Sequence, residues 1–192
     1  MYREAFVRSM VSFDLCWEVE TFYMSFMQAV FRILFAPMTV SLGIAGSSAA
    51  ALAAAYIAEY GFELLPCILC LYQRIPFAAN IALGLVAAAA FFYGRRPMGA
   101  VIVILAGVVF LGNAALAFYH VGVEQHWWVS AFEACTFDPN NLRAALDQPA
   151  VPCDEIPWEM FGISMAGYNV IMCGVAGVLS IGLGFKFLLK KP

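Results

Sequence analysis

Polar and apolar positions along this chain fall into long blocks, without the short periods of half-buried helices or strands. A helix needs about 20 predominantly apolar residues to cross the hydrocarbon core of a bilayer, and four stretches meet that length. They run over 33–58, without a charge; over 66–93, with Arg74 its only charge; over 98–119, with Asn113 its most polar residue; and over 160–185, again uncharged. Spanning strands are not expected, because barrel strands are about 10 residues long and alternate in polarity. These runs are longer, do not alternate, and are rich in Ala, Leu and Gly. Small residues let helix backbones approach closely in lipid. The pattern predicts an all-α integral membrane protein, a bundle of four transmembrane helices with a long outer loop over 120–159 between the third and fourth.

Composition agrees. The chain is 64% apolar and 12% charged, against about half and about a quarter in a soluble domain, so the solvent for much of its surface is lipid. The net charge of −3 matters less than its distribution. Arg32 precedes the first span, Gly94-Arg95-Arg96-Pro97 joins the second to the third, and Lys186, Lys190 and Lys191 close the chain. Glu59, Glu63, Glu124, Glu133, Asp138, Asp147, Asp154, Glu155 and Glu159 fall in the other connections, with Arg143 the only basic residue wholly in a loop. The excess of Lys and Arg in cytoplasmic loops then predicts a multi-pass protein with both termini cytoplasmic and with 59–66 and 120–159 outside. No basic cluster is long enough for a nucleic-acid partner.

Residues 32–192 therefore read as one membrane domain, and 1–31 as an N-terminal cytoplasmic extension mixing apolar residues with Arg3, Glu4, Arg8, Asp14, Glu18 and Glu20. The extension lacks the basic-then-apolar order of a secretory signal. Two readings stay open: an interfacial amphipathic helix, or a start codon placed too early, with Met24, Met27 and Met38 as alternatives. The small-residue run Ser47 to Ala55 resembles a cleavage site, but cleavage would discard the helix that balances the topology. In the outer loop, Trp127, Trp128 and Trp158 suit the membrane interface. Four prolines break the loop into short pieces, with a short helix expected over 140–148. The loop is expected to be a mobile segment lying on the membrane.

The topology sorts the six cysteines. Cys16 is cytoplasmic, and Cys173 lies inside the fourth span, where a thiol acts as a small apolar residue. Cys67, Cys70, Cys135 and Cys153 are all on the outer side, where thiols tend to be oxidised. Cys67 and Cys70 form a C-x-x-C directly after Pro66, a residue favoured in a helix's first turn. That spacing puts both sulfurs on one helix face, with Cα atoms about 5 Å apart, close enough for a disulfide. The partial positive charge of a helix N-terminus stabilises a thiolate. Arg74, one turn deeper, needs a partner in lipid. It serves either the Cys70 thiolate or a bound electron acceptor, or it reaches to lipid phosphate. Cys135 and Cys153 form a second pair, either a static staple or an exchangeable disulfide. A four-cysteine zinc site suits neither the 17-residue gap between the second pair nor an oxidising compartment, so no metal is expected. Covalent haem needs C-x-x-C-H, and Leu71 follows Cys70.

The segment Pro66-Cys67-Ile68-Leu69-Cys70-Leu71-Tyr72-Gln73-Arg74 resembles the signature of the disulfide bond formation protein B (DsbB) family, as does the arrangement of four helices around it. The stretches Tyr119-His120-Val121-Gly122-Val123-Glu124 and Ser164-Met165-Ala166-Gly167-Tyr168-Asn169 are also similar to that family, and the likeness spans about residues 38–190. The resemblance implies a protein-dithiol:quinone oxidoreductase of the bacterial inner membrane that reoxidises a soluble periplasmic DsbA-type partner, the relay that keeps the periplasm oxidising. By the same resemblance, Cys135 forms the mixed disulfide with the partner and Cys153 passes electrons to Cys67. Cys70 faces a quinone, ubiquinone or menaquinone, with Arg74 and His120 as pocket residues. The compact spacing of the loop cysteines departs from the family and puts details of partner docking in doubt. Two rivals remain. One is a reductase of the vitamin K epoxide type, whose active pair lies near the chain's end; the other is an adaptor whose disulfides are structural.

Overall fold

The computed structural model describes residues 25–28, 30, 33–131, 135 and 152–190. It contains four long helices: α1 (Pro37–Gly61), α2 (Ile68–Phe92), α3 (Arg96–Glu124) and α4 (Met165–Leu189), with a two-strand hairpin, β1 (Glu159–Met160) and β2 (Ile163–Ser164), ahead of α4. Each helix of 25 residues or more is about 37 Å long at 1.5 Å per residue, enough to cross a bilayer. All four are apolar enough to do so. The four-helix membrane bundle expected from the sequence is the architecture observed. The extension falls outside the described residues except for 25–28 and 30, which are helical, and the short helix expected over 140–148 lies wholly outside them.

The helix ends differ from expectation for local reasons. α1 starts at Pro37, not at 33, because proline lacks the N–H that a first turn leaves unpaired, and it continues to Gly61. Glu59 is therefore a helical residue and not a loop one. α3 runs five residues past the expected end at Tyr119, so His120 and Glu124 sit on a helix, and the outer connection begins at 125. Both side chains are buried with partners inside the bundle. That is how polar residues persist in a membrane helix. α4 starts at Met165, not at 160, because 159–164 fold into the hairpin, a short strand pair that the sequence reading did not expect. Its turn places Phe161 and Gly162 at positive φ, the backbone of a tight two-residue hairpin loop. Ser164 then caps α4, its Oγ accepting from the Gly167 N–H at 3.1 Å.

The helices pack in chain order: α1 on α2, α2 on α3, and α3 most extensively on α4. The core comprises Ile44, Phe77, Ala87, Val103, Ala106, Phe110 and Cys173. Large apolar side chains such as Ile75, Val108 and Val178 point outward and are exposed, as a lipid-facing surface requires. Small residues set the crossings. On α1, Ser41, Ile44, Ala45 and Ser48 are buried in one stripe at helical spacing, and Gly84 of α2 lies on it. On α3 and α4, Gly107 and Gly177 face each other: a Cβ on either would come within 3.0 Å of the other's carbonyl oxygen.

Arg96, Lys186 and Lys190 meet around one cavity at the end where α1 and α3 begin. Glu59, paired with Arg74, gathers with Glu124 and the cysteine pairs at the other, where α2 and α4 begin.

The α1–α2 crossing yields a test. A Cβ at Gly84 would lie 2.7 Å from the Ser41 carbonyl oxygen and 2.8 Å from the Ala45 nitrogen, whereas one at Gly43 would meet nothing within 4 Å. Gly84→Ala should destabilise the protein by about 1–3 kcal/mol through overpacking, and Gly43→Ala should be neutral or slightly stabilising. Thermal unfolding in detergent micelles measures both; equal midpoints for the two variants would contradict this packing.

Candidate functional site

The site begins at the residue that precedes α2. Cys67 is the N-cap, and its Sγ accepts from the Cys70 N–H at 3.3 Å. The two sulfurs lie 3.0 Å apart, hydrogen-bonded as thiols. The C-x-x-C pair thus occupies the end of a helix where unpaired N–H groups favour negative charge. Cys67 is buried and Cys70 half-buried. Cys67, just outside the span, has its thiol held below the usual range. The first cause is the hydrogen bond from Cys70; the second, opposing, is burial; His120 adds a hydrogen bond and its charge.

The loop disulfide lies against this pair. Cys135 and Cys153 are bonded to each other, and both are buried in one cluster with Cys67, Leu69 and Val123, edged by Cys70, Leu116 and Tyr119. All four outer cysteines therefore share one apolar pocket. Part of the loop is folded back onto α3: the Trp128 ring stacks on Tyr119 at 5.9 Å, its Nε1 donates to the Tyr119 carbonyl at 3.1 Å, and the Ala131 N–H donates to the Tyr119 hydroxyl at 2.7 Å. Gly122 is required there, because a Cβ would fall 2.0 Å from the Trp128 ring. Trp128 was expected as an interface anchor; it also closes the end of α3.

His120, expected as a pocket residue, stands beside the thiols. Its Nε2 is 3.4 Å from Cys67 Sγ and 3.7 Å from Glu124 Oε1, and its ring lies against the Cys153 backbone. Its Nδ1 is 3.0 Å from Gln73 Nε2. From there a hydrogen-bonded chain crosses the bundle. Gln73 Oε1 accepts from Asn169 Nδ2 at 2.5 Å, Asn169 Oδ1 accepts from the Cys173 thiol at 3.0 Å, and Cys173 Sγ accepts from Asn113 Nδ2 at 3.5 Å. The chain fixes a direction. Since Gln73 spends its carbonyl oxygen on Asn169, its amide N–H faces His120 Nδ1, and the ring proton of a neutral imidazole belongs on Nε2. That proton points at Cys67 and Glu124. Glu124 is tied in turn to the start of α4, its Oε2 accepting from Ser164 Oγ at 2.5 Å.

Arg74 contacts α1. Its Nη1 donates to Glu59 Oε2 at 2.5 Å, and its guanidinium lies 4.8 Å above the Tyr56 ring. The partner that the sequence reading required is thus a carboxylate one helix away. Arg74 Nε is buried without a partner among the described residues.

Cys67, Cys70 and His120 bring two sulfurs and a ring nitrogen within 4.8 Å of one another, a set able to hold a soft metal ion. With the proton on Nε2, the ring offers that set a donor in place of a lone pair, which suits a thiolate partner better than a metal.

The sequence reading named Asn113 as a polar residue of the third span, Glu59 and Glu124 as loop charges, and Gln73 and Asn169 within motifs, but gave none of them a role in the site. Helical spacing held the signal for three of them. Gln73 is one turn from Cys70, Glu124 one turn from His120, and Asn169 one turn from Cys173. Cys173, expected to be an apolar filler, is instead both donor and acceptor in the chain.

Comparison with known proteins places the chain in a family. Residues 37–183 match the family described as disulfide bond formation protein DsbB. Among relatives, the chain is 31% identical over 131 residues to uncharacterized protein RP370 of Rickettsia prowazekii, covering 64% of this chain and 73% of that one. It is 30% identical over 128 residues to disulfide bond formation protein B of Shewanella loihica, covering 62% and 72%. With the protein of the same name from Shewanella amazonensis it shares 28% identity over 152 residues, covering 74% and 88%. No solved structure matches. Four membrane-length helices and a family match over residues 37–183 make this chain a member of the DsbB family of membrane disulfide bond formation proteins.

Proposed function

We propose that this protein reoxidises a soluble DsbA-type dithiol protein and passes the electrons through its two cysteine pairs to a membrane quinone. The observation that carries the reading is the shared pocket: a formed Cys135–Cys153 disulfide packed in one buried cluster with a Cys67–Cys70 dithiol at a helix N-terminus.

The exchange steps follow from sulfur chemistry. A thiolate of the reduced partner attacks Cys135, the Cys135–Cys153 bond breaks, and Cys153 leaves with the electron pair. The partner's second thiol closes its own disulfide and frees Cys135. Cys153 then attacks Cys67 of an oxidised Cys67–Cys70 pair, releasing Cys70. Attack by Cys135 on Cys153 re-forms the loop disulfide and releases Cys67. The released Cys67 thiolate is met by the Nε2–H of His120, held in place by Gln73. The inner pair is now a dithiol, whose two electrons and two protons would pass to a quinone when one is bound. The residues present fit such a group. The unpartnered Arg74 Nε is a donor for a carbonyl oxygen, one helical turn from half-buried Cys70. Glu59 holds the guanidinium in place. His120, 3.4 Å from Cys67 Sγ, acts on Cys67.

The orientation follows from the charged ends. The basic end faces the cytoplasm with both termini, and the cysteine end faces the periplasm, across a bacterial inner membrane.

Three outcomes test this reading, with the purified protein, a reduced DsbA-type partner and ubiquinone or menaquinone, followed by quinone absorbance. Cys67→Ser and Cys70→Ser should each abolish quinone reduction, and retained activity in either would refute the relay. Cys135→Ser should reduce bound quinone once from its own thiols but lose turnover with the partner.

Gln73→Leu should lower kcat about tenfold, the effect of losing one hydrogen bond of about 1.4 kcal/mol to the ring that serves Cys67. The KM for the partner should not change. Asn169→Ala should act in the same direction more weakly. An unchanged kcat in Gln73→Leu would remove the positioning role.

Arg74→Gln should raise the quinone KM about tenfold through loss of a charge-assisted donor. The single exchange between partner thiols and the Cys135–Cys153 disulfide should keep its rate. If that exchange slows instead, Arg74 acts on the sulfurs and not on the acceptor.

A further inference from the structure

At the end of the bundle opposite the cysteines, the helix termini enclose a cavity of about 460 Å³, within the size range of small-ligand sites. Its lining is divided. Phe35, Phe91 and Phe187 supply aromatic surface, and Arg96, Lys186 and Lys190 supply three cations. The aromatic part is built into the fold: Phe91 and Phe187 meet edge to face at 5.8 Å, and Phe187 is buried. Gly99 makes room for the Phe91 ring, which a Cβ there would meet at 2.9 Å.

The electrostatics of this corner are incomplete. Arg74, at the cysteine end, has its carboxylate, but Arg96, Lys186 and Lys190 pair with no carboxylate among the described residues. Arg96 also stands in the first turn of α3, the end where a helix favours negative charge. That helix starts with neither a side-chain cap nor an acidic residue in its first turn. Three cations and an uncapped helix N-terminus converge on one volume, and what would complete it is an anion. The adjoining aromatic surface and the position at the ends of all four spans require that anion to carry an apolar tail.

We propose that this cavity is a binding site for an anionic phospholipid. The phosphate sits among Arg96, Lys186 and Lys190 at the start of α3, and the first part of an acyl chain lies against Phe35, Phe91 and Phe187. Basic pockets between membrane helices recognise acidic headgroups in this way. The site is independent of the redox reading, and neither fails with the other.

The test uses the full-length protein purified in a neutral detergent, with dioleoyl phosphatidylglycerol, dioleoyl phosphatidylcholine or inorganic phosphate added. Lipid retained on the protein is counted by native mass spectrometry, and the thermal unfolding midpoint is measured in parallel. Phosphatidylglycerol should stay bound and raise the midpoint, while phosphatidylcholine and inorganic phosphate should do neither. Affinity for phosphatidylglycerol should fall about fivefold for each cation removed in Arg96→Gln, Lys186→Gln and the triple variant with Lys190→Gln. Should the triple variant fail to fold, Lys190→Gln alone, at the end of α4, carries the same expectation. Equal retention of both lipids, undiminished binding in the variants, or a shift reproduced by inorganic phosphate alone would overturn the proposal.

Discussion

A polar group inside a membrane bundle must find its partner among the other helices, because lipid offers none. That constraint organises the cysteine end of this protein. His120, Gln73, Asn169, Cys173 and Asn113 come from α2, α3 and α4 and join in one hydrogen-bonded chain. Each member uses a group that the next one needs. The chain therefore does more than pair polar groups, although Asn113 Oδ1 at its far end is left without a partner among the described residues. It ties three helices together over about two turns of α3 and presents one face of an imidazole to one sulfur. If a link is removed, the groups on either side are left unpaired in a low-dielectric interior, where an unmet hydrogen bond is most costly.

The sulfur chemistry depends on this rigidity. Two disulfide-forming pairs can exchange only if one can reach the other, yet one pair belongs to a helix end and the other to a loop. The described part of the loop is held by Trp128 folded over Gly122 and stacked on Tyr119, and by the Ala131 N–H on the Tyr119 hydroxyl. These contacts place the loop's first part on α3 beside the very helix turn that carries His120. Cys135 and Cys153 then complete a pocket whose floor is Leu69 and Val123. Burial alone would oppose a thiolate at Cys67. The helix end, Cys70 and His120 work the other way, and at Cys67 they prevail.

Much of this was legible in the chain, because membrane solvation is written in long apolar blocks and the thiol pair in a short spacing. Those features are local. What stayed hidden depended on which helix faces which. Glu59 read as a loop acid because it follows the last apolar residue of the first span; only the α1–α2 packing shows it as Arg74's partner. His120 read as the start of a loop because it is the first ionisable residue after the third apolar run; it is buried against Cys67 and Gln73 on a helix that continues to Glu124. Cys173 read as an apolar filler because nothing along α4 says that Asn113 of α3 lies opposite. Gln73 stood inside the quoted motif, but its value lies in a contact with a residue 96 positions later. A single sequence carries the period of each helix and not its rotation about its own axis.

The Arg74–Glu59 pair shows how one constraint can leave room for function. An arginine in a membrane helix needs a counter-charge, and Glu59 provides it through Nη1, with Tyr56 covering the guanidinium face. A bidentate grip would have used two donors of the fork. The observed contact uses one, and Nε stays buried without a partner among the described residues. The charge is thus neutralised while a directed donor is kept back. A guanidinium fully engaged by its carboxylate would be structural; one held at a single corner is fixed in place and still able to bind an oxygen, and the thiol one turn above it is the group whose electrons such an oxygen-bearing acceptor would take.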